Sequence, residues 1–159
     1  MHLADPVLTV LFDRGTPEWG AMFWDGRVQA LPSGHVLNPT GDRLPTGLDS
    51  GLAAQSLFSV TSADEMRGAP GKPGNELSDL ADEDVEVIWG GPMARLRAIL
   101  GYRTLFAATY PGTPAAGMGF QHASNAIAAF EVEAFTLALG AHSEIRSTML
   151  RLTFLSARL

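Results

Sequence analysis

Gly20-Ala21-Met22-Phe23-Trp24-Asp25-Gly26-Arg27-Val28-Gln29-Ala30-Leu31 reads as two short apolar runs joined by Asp-Gly. A type I′ turn needs two central residues that tolerate positive φ, so this stretch predicts a β-hairpin. Toward the N-terminus, Val7-Leu8-Thr9-Val10-Leu11-Phe12 is apolar and β-branched between Pro6 and Asp13-Arg14-Gly15, which reads as another strand. Toward the C-terminus, 56–60, 85–88 and 102–106 continue the strand pattern. Met93 to Leu100 fits either a helix opened at Pro92 or a ribbon turning at Gly101. The clearest helix runs over about 124–139. Ile127, Phe130, Ala134 and Leu137 recur every three or four residues there, with Ser124 as N-cap and Gly140 beyond the end. The tail over 145–159 fits a strand through Leu150, Leu152 and Phe154, or a helix aligning Ile145, Met149, Leu152 and Leu159.

The expected fold is α+β and mainly antiparallel β, sheet or barrel-like, with that one amphipathic helix. Two Gly/Pro-rich stretches, 32–51 and 64–76, read as extended loops or arms of a single domain over 1–159. Gly68-Ala69-Pro70-Gly71-Lys72-Pro73-Gly74, in the second, is too short for a collagen-like helix and reads as a stiff linker.

Apolar residues make up 46% of the chain and charged residues only 18%, below the usual quarter. From Thr104 to Phe130 there is no Asp, Glu, Lys or Arg at all. So little charge predicts a surface covered by a partner, and hence a homo-oligomer or larger protein assembly. The net charge of −6 argues against binding nucleic acid through phosphate neutralisation. Cysteine is absent, which excludes disulfides and thiolate metal sites. No signal peptide or run of membrane-spanning length is visible, so the expectation is a soluble, cytoplasmic protein or an intracellularly assembled particle, with no membrane partner.

Sites for chemistry are sparse. Asp79, Asp82, Glu83, Asp84 and Glu86 lack the alternating spacing of a calcium loop and read as a solvated acidic segment. His35, His122 and His142 show no metal-ligand spacing. Gly71-Lys72 is followed by Pro73 and is no phosphate loop, and Gly47-Leu48-Asp49-Ser50-Gly51 has the wrong spacing for a nucleophile elbow. No metal or cofactor is expected. Phe23 and Trp24 point to opposite faces of the hairpin, so they cannot form one stacking platform.

Tyr110-Pro111-Gly112-Thr113-Pro114, followed by a small-residue turn and the helix from Ser124, resembles the loop and central helix of hot-dog-fold acyl dehydratases. That resemblance implies an acyl-binding or hydrolytic site near Tyr110, His122 and Glu131, with Asn125 or Glu131 as the helix partner. The family's loop histidine falls at Thr109 here. The leading expectation is instead a non-enzymatic, self-associating structural protein such as a virion component. Its interface would use Trp24, Phe106, Phe120, Leu152, Phe154 and Leu159. A further alternative is an acidic inhibitor that meets a basic partner through Asp79 to Glu86.

Overall fold

A computed structural model of the chain describes residues 21–134, Trp24 excepted. The strand expected over 7–12 and the tail over 145–159 lie outside the described residues, as does the end of the helix expected over 124–139.

The hairpin forms. β1 (Ala21–Met22) pairs antiparallel with β2 (Val28–Ala30), and β3 (Val36–Leu37) pairs antiparallel along the other edge of β2. The turn is wider than two residues. The Gly26 N–H donates to the Phe23 carbonyl at 3.2 Å, and positive φ falls on Phe23 and Gly26. The Arg27 guanidinium lies 3.9 Å over the Phe23 ring, a cation–π contact that favours this conformation.

Most of the remaining regular structure is helical: α1 (Gly51–Thr61), α2 (Val85–Ala98), α3 (Leu100–Thr109) and a helix, α4, over 120–134. The mixed α+β class therefore holds, but among the described residues helices outweigh strands. The strands expected over 56–60, 85–88 and 102–106 are helices, and the three described strands form an open sheet rather than a barrel.

The misreading of α1 has a physical cause. Leu52, Ala53, Ala54, Leu57, Phe58 and Val60 are all buried, and the helix's only polar stripe, Gln55, Ser56 and Ser59, is uncharged and itself buried or half-buried. Its start is nonetheless marked: the Ser50 hydroxyl accepts from the Ala53 N–H at 3.1 Å, a cap that contributes about 1 kcal/mol. In α2, Gly90-Gly91-Pro92 argues locally for a break, yet the helix runs through it. Val85, Ile88, Trp89 and Met93 fall on one face and are buried together, and tertiary packing overrides the local preference. A Cβ on Gly91 would lie 2.7 Å from the Leu77 side chain, so glycine admits that residue against α2.

The core has two parts that meet at α1. Met22 and Val28 of the sheet pack on Leu52, Ala53, Ala54 and Phe58, with Ala128 of α4. On the other side Leu57 and Val60 join Ile88, Trp89 and Met93 of α2, Phe106 of α3 and Phe120 of α4. The Trp89 indole N–H donates to the Leu57 carbonyl at 2.9 Å, which fixes α2 against α1.

The segment 32–51 is not an unstructured arm. It carries β3 and a short 3₁₀ turn (Gly41–Arg43), and Leu44 and Leu48 pack on both parts of the core. Asn125 of α4 pins its end: the side chain accepts from the Asp49 N–H at 3.0 Å and donates to the Gly47 carbonyl at 2.8 Å. The segment 64–76 is irregular but tied down by Arg67, which is buried and donates to the Leu80 carbonyl at 2.8 Å and to Asp82. None of the described helices is long and apolar enough to cross a membrane.

Candidate functional site

A cleft of about 220 Å³ opens between α1 and α4, lined by Leu52, Gln55, Ser59, Phe120, Ile127 and Glu131. Met66 reaches it from the turn that follows α1. Helical spacing explains the set: Leu52, Gln55 and Ser59 recur at intervals of three and four on α1, and Ile127 and Glu131 are four apart on α4.

Gln55 is only 8% exposed, and its Oε1, shielded from solvent, has no hydrogen-bond partner among the described residues. A buried amide oxygen left unpaired costs about 1–3 kcal/mol, which is unusual for a residue that lines a cleft. Glu131 is half-buried, and burial raises its carboxyl pKa above the ordinary 4.5, which favours the protonated form. An amide thus shares an otherwise largely apolar cleft with a carboxyl whose pKa burial raises. Such a pair can orient a small oxygen-bearing molecule by hydrogen bonds.

The residues singled out by sequence divide into separate places. Tyr110 and His122 come together: their rings meet edge to face at 4.6 Å, and the Tyr110 hydroxyl donates to the His122 carbonyl at 3.1 Å. The His122 Nδ1 accepts from the Gly119 N–H at 3.2 Å, which latches the ring to the start of α4. Burial, and then the charge of Asp49, raise the Tyr110 pKa, against a lowering hydrogen bond from Asn125. Glu131 lies nine residues farther along α4, about 14 Å from His122 along the axis, so the expected three-residue constellation does not form. Phe106 and Phe120 are buried in the chain's own core. Trp24, Leu152, Phe154 and Leu159 lie outside the described residues, as does His142. His35 is exposed on the turn before β3. Among the described residues no group of three or more His, Asp or Glu side chains is placed to hold a metal ion.

Gln55 and Met66 were missed. The available signal for Gln55 was a lone amide inside the run Leu52 to Val60, legible only once that run is read as a helix rather than a strand.

A family model described as di-haem cytochrome c peroxidase matches residues 4–141. No curated protein and no solved structure matches the chain. The match overturns the expectation of a non-enzymatic, self-associating virion or assembly protein, along with its acyl-enzyme and acidic-inhibitor alternatives, because it points to haem enzymes. Phe106 and Phe120, expected at an interface, pack in the chain's own core. Since the match takes in most of its length, the chain belongs to the di-haem cytochrome c peroxidase family.

Proposed function

We propose that the chain takes part in reducing hydrogen peroxide with electrons from a reduced cytochrome c, and that the cleft between α1 and α4 receives the peroxide. The family match over residues 4–141 carries this reading, and the cleft that Gln55 and Glu131 line supports the place.

Haem held through thioether bonds needs two cysteines and a histidine in the order C-x-x-C-H. These 159 residues contain no cysteine. The cleft, at about 220 Å³, is also smaller than the roughly 300–1,000 Å³ of sites for larger ligands. The residues therefore do not fit a covalently attached haem, and any such attachment lies outside them. They fit the peroxide side of the reaction.

Reduction of hydrogen peroxide to two waters takes up two electrons and two protons. In the proposed role the amide end of Gln55 and the Glu131 carboxyl would orient a peroxide in the cleft by hydrogen bonds. The two electrons would come through a haem that these residues do not hold, so the cleft's part is to bind peroxide rather than to break its O–O bond.

The test titrates hydrogen peroxide into the purified full chain and follows the backbone amide signals of Gln55, Phe120 and Ile127 by NMR. The expected result is a saturable shift at these positions, with binding weakened at least about tenfold in Gln55→Leu. Absence of a saturable shift refutes the reading.

A further inference from the structure

Four methionines lie among the described residues, and they differ sharply in exposure. Met22, Met93 and Met118 are 1%, 1% and 3% exposed, whereas Met66 is 68% exposed at the rim of the cleft. The exposure of Met66 does not come from a loose segment. Its N–H donates to the Ser59 carbonyl at 3.3 Å, and the next N–H, of Arg67, donates to the Ser62 carbonyl at 3.1 Å. Arg67 is itself buried and bound to the Leu80 carbonyl. An anchored turn thus presents a thioether to solvent beside Gln55 and Ser59.

We propose that Met66 is a site of reversible oxidation by hydrogen peroxide, converting to methionine sulfoxide at the lip of the cleft. The sulfur lone pair attacks one peroxide oxygen, the O–O bond breaks and an S–O bond forms. The departing hydroxide takes the remaining peroxide proton and leaves as water. Sulfur loses two electrons and peroxide gains two, so peroxide and thioether give sulfoxide and water with no further reactant. The product replaces an apolar thioether by a polar S=O group that accepts hydrogen bonds, and a sulfoxide reductase restores it. This chemistry needs no haem, so it stands or falls apart from the peroxidase reading.

The test treats the folded full chain with dilute hydrogen peroxide and follows the 16 Da gain on each methionine peptide by mass spectrometry. Met66 is expected to oxidise at least about tenfold faster than Met22, Met93 and Met118, which react only through opening of the core. The difference should vanish in denaturing urea, and added methionine sulfoxide reductase with a dithiol reductant should reverse the change at Met66. Oxidation of Met66 in step with the three buried methionines overturns the proposal. So does a sulfoxide at Met66 that the reductase and dithiol leave unchanged.

Discussion

Replacing Gln55 by Leu should make the protein more stable while weakening its hold on hydrogen peroxide. The side chain is 8% exposed and its amide oxygen has no partner among the described residues. Removing an unpaired buried acceptor recovers about 1–3 kcal/mol. Leucine has a similar volume, and repacking beside Leu52, Phe120 and Ile127 costs less than about 1.5 kcal/mol. The net expectation is a gain of about 1 kcal/mol. For a chain of this size the urea slope is about 1–3 kcal/mol per M, so the unfolding midpoint should rise by about 0.5 M. Equilibrium urea unfolding, followed by Trp89 fluorescence and circular dichroism, measures the shift. A midpoint that falls instead would refute the reasoning, because the amide oxygen would then be contributing a hydrogen bond to the folded state.

Asn125→Ala should cost about 2 kcal/mol, since it removes two hydrogen bonds of a side chain that is 8% exposed. Urea unfolding gives the loss, and faster hydrogen exchange at the Asp49 amide locates it. Glu131 gives a pH signature. Burial raises its folded pKa above the ordinary 4.5, so the native state holds the proton more tightly than the unfolded chain. Its contribution is fully present below 4.5 and is lost as pH rises through the raised value. In Glu131→Gln that decline should be absent from the pH dependence of the unfolding midpoint, and an unchanged profile would exclude Glu131 as its source.

The hairpin was legible because its signal is local: Asp25-Gly26 between apolar runs forces a reversal whatever packs around it. The width of the turn was not, because it goes with a side-chain contact, Arg27 over the Phe23 ring, that the turn residues alone do not signal. The helix near 124–139 was legible in kind but not at its start. Ser124 is fully buried inside α4 rather than capping it, and the helix begins at Phe120, with His122 bonded back to Gly119. α1 and α2 were misread for opposite reasons. The first carries no charge and buries most of its surface, and so mimics a buried strand, while the second contains Gly90-Gly91-Pro92 and is held helical by Ile88, Trp89 and Met93. Of the candidate site, Glu131 was named from sequence, but its true neighbour Gln55 belongs to the helix that the strand reading concealed. Tyr110 and His122 do meet, and serve the start of α4 rather than the cleft.

The bonds from Asn125 to Gly47 and Asp49 also set an order of assembly. They join positions 78 and 76 residues apart, so the loop leading into α1 is fixed only after α4 has docked. Closing so long a stretch of chain is entropically unfavourable until core contacts repay it. The first described helix therefore waits on the last for its leading loop. A chain ending before Phe120 would have α1 with its Ser50 cap but without the side chain that holds Gly47 and Asp49 in place.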